Sequence, residues 1–283
     1  MQPWIILRVT SPMTNDPNAA AQARVRLEPR LIEPPGNGAT AMTDLAHFAL
    51  ITFAVPRARL EPHIPTDRFA LPEFVIDGQP RCLMSVIPFV DEHFHFPRFF
   101  PFAKFRFGQT NYRVYVTDRA TGEPCVWFFG TTLGSPVVHI PRTLWRLPWH
   151  PARYAVDCRY DGTAQRYARY RFAVDSAWAP AAIELEDSGA PAGLLPGFTD
   201  ENTQALILTN PVAGYFYRLD GRLGTYSIWH PRLQPLTHAR PLRLSFGLFE
   251  RLGLLSRAEM ATPHSILVCP LTRFKILLPP RTL

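Results

Sequence analysis

Hydrophobic and polar side chains alternate along residues 107–117 with the period of two that is typical of a β-strand. One face of this predicted strand is rich in hydrogen-bonding groups, and the other face is mostly apolar. The two faces consist of Gln109, Asn111, Arg113 and Tyr115, and of Thr110, Tyr112, Val114 and Val116, respectively. We expect the first face to line a wet cavity.

The pattern changes in the next predicted strand, residues 126–132. Trp127, Phe128 and Phe129 follow one another, so both faces are apolar and both are expected to be covered. A helix-like run over residues 136–147 then ends at Pro148. Together, residues 107–151 are predicted to form the wall of a pocket.

Gly-containing turns divide the rest of the chain into short strands that pair antiparallel. These turns are Asp77-Gly78, Thr121-Gly122, Asp161-Gly162 and Asp220-Gly221. The predicted strands are residues 47–55, 81–90, 107–118, 125–133, 154–160, 165–174, 181–186, 205–209, 214–219, 225–229 and 265–278. Helices are predicted after Pro56, over residues 136–147 and over residues 241–255. A mainly β fold follows, a barrel with short flanking helices over residues 42–283, preceded by a poorly ordered leader over residues 1–41.

The composition supports this architecture and disfavours some classes of function. Thirty prolines favour short strands over long helices, and 12% aromatic residues require a large apolar interior. The net charge of +7 comes from arginines spread along the chain, which disfavours nucleic-acid binding. The four cysteines are widely spaced and are expected to be reduced thiols. We expect a soluble cytoplasmic protein without membrane contact.

Familiar catalytic and cofactor motifs are absent from the sequence. Gly36 to Ala41 matches a dinucleotide fingerprint by spacing, but Glu33-Pro34-Pro35 stands where a strand is required, so no cofactor is predicted. Asp91, His93 and His95 would share a face on regular strand geometry. No further ligand follows at the expected spacing, so solvated histidines are favoured over a metal site.

The segment 93–107 contains seven phenylalanines interleaved with proline, arginine and lysine. This composition fits a nucleic-acid or membrane surface, but the prolines exclude an amphipathic helix. An aromatic flap packed on the barrel or over its cavity is the favoured interpretation.

Several segments, in order, resemble the YqjF-like bacterial family of the acetoacetate decarboxylase-like superfamily. They are HFALITFAVP with its PHIP exit, DGQPRCLMSVIPF, TNYRVYV, CVWFFG and PRTLWRLPWHPARY. The resemblance implies a closed antiparallel β-barrel around a small-molecule pocket. It also shows two departures: Gln109 stands where the family usually has Glu, and Pro148-Trp149-His150 stands where the decarboxylases carry the lysine that forms a Schiff base.

The sequence therefore predicts a barrel that binds a small molecule and lacks imine chemistry, possible lyase-like turnover of a small carboxylate or keto compound, and possible homo-oligomers. Asn111 and Arg113 would orient a polar or anionic group. His150 and His230 are the candidate general acids or bases. The remaining candidate ligand-binding residues are Gln109, Tyr115, Trp127, Phe129, Arg142 and Trp149. A carrier of an apolar metabolite is the alternative.

Overall fold

The computed structural model describes residues 17–211 and 213–283. The strands are β1 (Ala41–Val55), β2 (Phe69–Ala70), β3 (Phe74–Ile76), β4 (Gln79–Phe96), β5 (Phe100–Asp118), β6 (Pro124–Leu133), β7 (Trp149–Pro151), β8 (Arg153–Asp161), β9 (Arg166–Asp175), β10 (Ala181–Pro191), β11 (Ala213–Tyr217), β12 (Leu223–Trp229), β13 (Thr237–Phe246) and β14 (Ser265–Thr282). The α-helices are α1 (Pro17–Leu31), α2 (Arg57–Leu60), α3 (His139–Leu144), α4 (Glu201–Gln204), α5 (Gly247–Arg251) and α6 (Arg257–Met260). Short 3₁₀ turns lie at Glu61–His63 and Pro136–Val138, and Ala205–Thr209 forms a π-helical turn.

Seven strands close into a barrel in the order β1, β4, β5, β6, β11, β12 and β14, and β14 pairs again with β1. Six of the seven neighbouring pairs are antiparallel, and only β6 and β11 run parallel. Closure of the barrel removes the open edges that a flat sheet of these strands would have. The predicted mainly β barrel is confirmed.

The remaining long strands form a second layer outside the barrel. They continue the sheet from β14 in the order β13, β10, β9 and β8. One apolar core fills the barrel and includes Phe48, Phe89 and Phe128. A second core, which includes Tyr112 and Phe172, lies between the barrel wall and the outer layer. Strand β6 is therefore covered on both faces, as its run of aromatic residues predicted.

The four predicted Gly turns connect antiparallel strands. They join β3 to β4, β5 to β6, β8 to β9 and β11 to β12. Gly78, Gly122 and Gly221 have positive φ angles, which explains the glycine at each of these turns. The predicted helices after Pro56 and within residues 136–147 are also present, the latter as a 3₁₀ turn followed by α3.

Two secondary-structure predictions are wrong. Residues 205–209 form a π-helical turn rather than a strand, because Asp200 caps α4 through the backbone N–H groups of Asn202 and Thr203 and the chain continues helically. Residues 241–246 belong to β13 rather than to a helix, because they pair with β10, where Leu244 lies opposite Ile183. Only α5 remains of that predicted helix.

Part of the segment predicted as a poorly ordered leader, residues 17–31, forms the helix α1. This helix buries Ala23 and Leu27, one turn apart, against Leu206 of the π-helical turn. Its Arg30 donates a hydrogen bond to the carbonyl of Asn210. Two small apolar contacts hold the helix, too few to give a clear hydrophobic period in the sequence. Residues 1–16 lie outside the described residues.

Within residues 17–211 and 213–283, no helix combines the length and the apolar character needed to cross a membrane.

Candidate functional site

A cavity of about 50 Å³ lies inside the barrel. Most of its wall is aromatic or aliphatic, with side chains from β1, β4, β6 and β14. The apolar wall includes Phe48, Ile87, Phe89, Phe128, Trp149 and Phe274. Gln109, Asn111 and Arg113 all face this space from β5, because they share the inward face of one strand. The polar face predicted from the alternation is therefore the face that lines the cavity.

Arg113 is a buried cation, with only 5% of its surface exposed. Its guanidinium donates hydrogen bonds to the Ser85 hydroxyl at 3.3 Å, the Tyr115 hydroxyl at 3.3 Å and the Leu208 carbonyl at 2.8 Å. No carboxylate of the described residues forms an ion pair with it. All three partners are neutral, so the positive charge is solvated by dipoles but not neutralised.

Asn111 lies beside Arg113 on β5 and has a fixed orientation. Its carbonyl oxygen accepts hydrogen bonds from the Thr131 hydroxyl at 2.8 Å and from the Gln109 side-chain amide at 3.1 Å. Because both bonds go to the oxygen, they assign the amide nitrogen to the opposite side. The Asn111 amide N–H groups remain available to a ligand.

Asp91 is the second ionisable group of the cavity and is almost completely buried, at 1% exposed. Its Oδ1 accepts a hydrogen bond of 2.9 Å from the Thr43 hydroxyl, whereas Oδ2 has no hydrogen-bond partner among the described residues. Burial raises the pKa of Asp91 to about 7, and the Thr43 hydrogen bond only partly opposes this shift. Asp91 therefore changes charge near neutral pH.

Arg113 and Asp91 lie at opposite ends of the cavity. Arg113 is directly opposite Ser85 in the β4–β5 register, and Asp91 follows Ser85 by six residues on β4. A strand of that length separates Cα atoms by roughly 20 Å.

His230 lines the cavity, and both of its ring nitrogens lie beside backbone carbonyl oxygens. One ring nitrogen lies 2.7 Å from the carbonyl oxygen of Pro231, and the other lies 2.7 Å from that of Thr209. The ring stacks on Phe274 with centroids 4.4 Å apart. Burial lowers the pKa of His230, with a further contribution from Arg113, against the raising effect of the two carbonyls. A neutral ring donates to only one of these carbonyl oxygens, and only the protonated ring donates to both, so His230 holds the π-helical turn through at least one hydrogen bond.

Four other predicted site residues do not line the cavity: Trp127, Phe129, Arg142 and His150. Trp127 packs against Phe69 in the core outside the barrel, because it is one residue out of phase with the inward-facing Phe128. A register shift beside Gly130 also leaves Phe129 on that outer side. His150 follows the inward-facing Trp149 on β7 and stacks on Trp178 with centroids 4.0 Å apart.

Arg142 and His150 are thus neighbours of the barrel wall rather than parts of its interior. The Arg142 guanidinium donates a hydrogen bond of 2.7 Å to the Trp149 carbonyl and so holds the strand that places Trp149. Burial lowers the pKa of His150 to about 4, with smaller contributions from Arg142 and Arg251. The structure thus places His150, a predicted general acid or base, against Trp178 and not in the cavity wall.

Tyr115 lies on the predicted face but behind Arg113. Its hydroxyl accepts from the guanidinium and also accepts a hydrogen bond of 3.0 Å from Ser85. Tyr115 therefore fixes the orientation of Arg113 without lining the cavity itself.

The sequence reasoning missed two important residues, Asp91 and Phe128. The alternation along residues 81–90 continues to Asp91 and predicts that it faces inward with Ile87 and Phe89. Asp91 was interpreted instead together with His93 and His95 as a possible metal site. Phe128 was not predicted to face the cavity because both of its sequence neighbours are aromatic, so the pattern does not show which of the three residues points inward. Tyr226 and Thr209 also line the cavity, and no sequence signal connects either to β5.

Asp91, His93 and His95 do not form a common site. A register shift follows Asp91, and His93 has a positive φ of 57°, so its side chain lies outside the barrel near Asp44. Within the described residues, no three His, Cys, Asp or Glu side chains are placed to hold a metal ion.

Neither lysine reaches the cavity. The Lys275 ammonium donates to the carbonyl of Pro34 at 2.8 Å and pairs with Glu33, on the outside of β14. Lys104 is exposed on the hairpin between β4 and β5. On the same hairpin, Phe94 and Phe107 are buried whereas Phe102 is 97% exposed, so the predicted packed flap is wrong for the hairpin tip.

A larger groove of about 430 Å³ lies on the surface beside the π-helical turn. Backbone segments and neutral side chains form most of it, and Glu201 and Arg232 are the only charged residues among its described lining. The smaller cavity, with its buried ionisable groups, is the better candidate site.

Solved structures with a similar fold include a biosynthetic enzyme, an acetoacetate decarboxylase-like enzyme and an acetoacetate decarboxylase. The enduracididine biosynthesis enzyme MppR complexed with pyruvate superposes with a TM-score of 0.55 at 12% identity, covering 90% of this chain and 93% of that one. An acetoacetate decarboxylase-like enzyme from Sphingomonas wittichii RW1 gives 0.53 at 10% identity, covering 87% and 94%. Acetoacetate decarboxylase from Legionella pneumophila gives 0.50 at 12% identity, covering 89% and 91%. At these identities the similarity establishes the fold alone.

No curated protein sequence matches the chain significantly. A family model does match, over residues 43–272, which reaches every strand of the barrel and includes every residue of the cavity wall except Phe274 and Ile276. The chain, an acetoacetate decarboxylase-like barrel, belongs to the DUF2071 family, described as an uncharacterized conserved protein.

Proposed function

We propose that the barrel binds a small carboxylate or keto compound and that Arg113 is its anion anchor. The observation that carries this proposal is a buried guanidinium that faces a cavity without any carboxylate partner among the described residues. A buried charge without a counter-ion costs several kcal/mol. A bound carboxylate would neutralise it and accept from Nη1, because the Nε and Nη2 N–H groups already donate to Ser85, Tyr115 and Leu208.

Two further features support this assignment. The free amide N–H groups of Asn111 adjoin the guanidinium and would donate to a second polar atom of the ligand. The aromatic wall would bury the hydrocarbon part. The similar fold of MppR, which is known complexed with pyruvate, is an analogy in the same direction.

Any turnover by this site would be lyase-like and would proceed without an imine. A Schiff base requires a lysine amine at the carbonyl carbon of the ligand, and both lysines lie outside the cavity. We therefore expect that borohydride with acetoacetate or pyruvate leaves the mass of the protein unchanged. Intact-protein mass spectrometry measures this directly, and a stable adduct on either lysine would contradict the proposal.

Replacing Arg113 with methionine tests the anion anchor. Loss of a charge-assisted hydrogen bond costs about 1.5–3 kcal/mol, so affinity for pyruvate or acetoacetate should fall by roughly 10- to 100-fold. Isothermal titration calorimetry measures the affinity. Arg153→Met, on the exposed outer sheet, is the control and should bind as the wild type does. Equal affinity in Arg113→Met and the wild type would rule out the anchor.

The alternative function is a non-catalytic carrier of an apolar metabolite. The favouring observation is that phenylalanines form much of the cavity wall, including Phe48, Phe89, Phe128 and Phe274. A carrier of this kind would retain its ligand in Arg113→Met, since aromatic contacts would supply the affinity. The same titration with an uncharged aromatic ligand therefore separates the two functions.

A further inference from the structure

The hairpin between β4 and β5 exposes large apolar side chains at its tip, residues 97–105. Between the last two pairs of the ladder, β4 advances by two residues and β5 by five, so residues 101–104 bulge out of the sheet. Phe102 lies on this bulge and is 97% exposed, and Phe99, in the turn, is 60% exposed. Two phenylalanines exposed side by side on one tip form an apolar surface without a partner among the described residues.

The base of the same hairpin is held by the barrel. Phe94 and Phe107 are buried in the apolar core of the barrel, with ring centroids 5.5 Å apart. In the turn, the Phe99 N–H donates to the carbonyl of Phe96 at 3.2 Å. Proline residues fix φ at two positions of the tip, Pro97 and Pro101. The exposed phenylalanines are therefore presented by an anchored and constrained segment.

The charge of the tip is positive. Arg98 and Lys104 lie beside the exposed phenylalanines, both are exposed, and residues 97–105 contain no carboxylate. Among the described residues, neither cation has an ion-pair partner. At the base of the hairpin, the carboxylates of Glu92 and Asp44 are already within ion-pair distance of Arg106 and Arg273, respectively. The two cations of the tip are therefore available to an external anion.

We propose that the hairpin tip docks on the surface of an anionic lipid bilayer. Phe99 and Phe102 would enter the boundary between the headgroups and the acyl chains, and Arg98 and Lys104 would lie among the lipid phosphates. The expectation of no membrane contact rested on the lack of a spanning segment and of an amphipathic helix, and a bulged hairpin exposes phenylalanines without either. The inference does not depend on the ligand proposed for the cavity.

Charge complementarity favours a lipid surface over a second copy of the chain. Two tips in contact would place like charges next to each other, which is unfavourable. A different face of a second copy would need a cluster of free carboxylates to receive the tip. Within the described residues, the exposed carboxylates without an ion pair lie on separate loops and are Asp67, Asp77, Asp161 and Glu201.

Sedimentation with lipid vesicles tests the inference. The wild type should bind vesicles of phosphatidylcholine with about 25% phosphatidylserine, and it should bind pure phosphatidylcholine vesicles at least about tenfold more weakly. Phe99→Ser combined with Phe102→Ser should lower the partition coefficient about tenfold or more, since both rings lose their apolar contact. Arg98→Gln combined with Lys104→Gln should lower it roughly 10- to 30-fold, and about 0.5 M sodium chloride should do the same to the wild type.

Matched double variants away from the tip serve as controls. Val75→Ser combined with Leu242→Ser removes two exposed apolar side chains, from β3 and from the outer layer. Arg159→Gln combined with Arg243→Gln removes two exposed cations of the outer layer, so the net charge falls by the same amount as in the tip variant. Both controls should bind the anionic vesicles within about twofold of the wild type, because a distant charge is screened.

Three results would overturn the inference. They are no binding to the anionic vesicles, equal binding to neutral and anionic vesicles, and tip variants that bind as tightly as the controls. If vesicles do not bind and analytical ultracentrifugation shows a self-association that Phe99→Ser with Phe102→Ser abolishes, the tip contacts a second copy of the chain. If a single-stranded oligonucleotide binds in place of vesicles and the same variant weakens it, the tip stacks on bases.

Discussion

Asp91→Asn is expected to stabilise the ligand-free protein by about 2–4 kcal/mol near pH 8 and to change its stability little near pH 4. Burial raises the pKa of Asp91 from 3.8 to about 7 in the folded protein. The folded state therefore holds this proton more tightly than the unfolded chain does. The contribution of Asp91 to the free energy of unfolding is therefore greatest below pH 4. It decreases as the pH rises from about 4 to 7 and stays low above pH 7.

The size of the effect follows from the shift. Three pKa units correspond to about 4 kcal/mol, and the neutral amide of asparagine avoids this cost while it still accepts the Thr43 hydrogen bond. The amide N–H₂ would take the place of Oδ2, which has no hydrogen-bond partner among the described residues, and an unpaired donor there reduces the gain to the lower part of the range. Of the neighbouring titratable groups, Glu92 contributes to raising the pKa of Asp91, and Asp91 contributes to raising that of Tyr154.

Urea unfolding of the wild type and the variant at several pH values measures this prediction. The difference between the two proteins isolates Asp91 from the histidines, which also titrate. Glu92→Gln should follow the wild-type profile closely, because Glu92 lies outside the barrel beside Arg106. A variant that is less stable than the wild type at pH 8, or a difference that does not change with pH, would show that Asp91 is not a buried acid of this kind.

The period of two along β5 was enough to predict which residues face the cavity. Gln109, Asn111 and Arg113 occupy the inward face because strand alternation is a local property of the backbone. The same reasoning did not work for β6, where Trp127 and Phe129 were predicted to line the cavity but Phe128 does so. When both faces of a strand are apolar, the sequence does not reveal the phase, and the register shift beside Gly130 removes a regular phase altogether.

The role of His230 shows a different limit. The sequence indicated a histidine near an aromatic cluster, and it does lie in the cavity wall. Its two carbonyl partners belong to Pro231 and to Thr209, and the latter lies in a π-helical turn that was predicted as a strand. Contacts between segments distant in sequence decide whether a histidine is free to transfer a proton, and local patterns do not contain them.

Gly108→Ala is expected to destabilise the protein by about 3–4 kcal/mol. Gly108 lies on β5 one residue before the polar face, and a Cβ added there would come within 2.4 Å of Tyr154 Cγ and 2.9 Å of Tyr154 Cβ. Those atoms lie at the base of the tyrosine side chain, so a rotation of the ring would not relieve the overlap. Tyr154 would have to leave its position between the barrel and the outer layer.

The displaced tyrosine would also lose hydrogen bonds inside the protein. Its hydroxyl lies 2.6 Å from the hydroxyl of Thr132 and donates to that of Thr110 at 3.0 Å, and both threonines are fully buried. Each unsatisfied buried hydroxyl adds about 1 kcal/mol or more to the overlap cost of ~1–3 kcal/mol. Gly162→Ala is the control, because a Cβ there meets no atom within 4 Å and should leave stability within about 0.5 kcal/mol of wild type.

A double-mutant cycle assigns the cost to this one contact. In a Tyr154→Ala background the Cβ added at position 108 has no ring to displace, so Gly108→Ala should cost about 1 kcal/mol or less. Chemical unfolding of the four proteins measures the coupling between the two positions. An equal cost of Gly108→Ala in both backgrounds would show that glycine is needed at position 108 for the backbone of β5 itself. The predicted coupling means instead that Gly108 makes room for Tyr154, which joins β8 of the outer layer to the strand that carries Asn111 and Arg113.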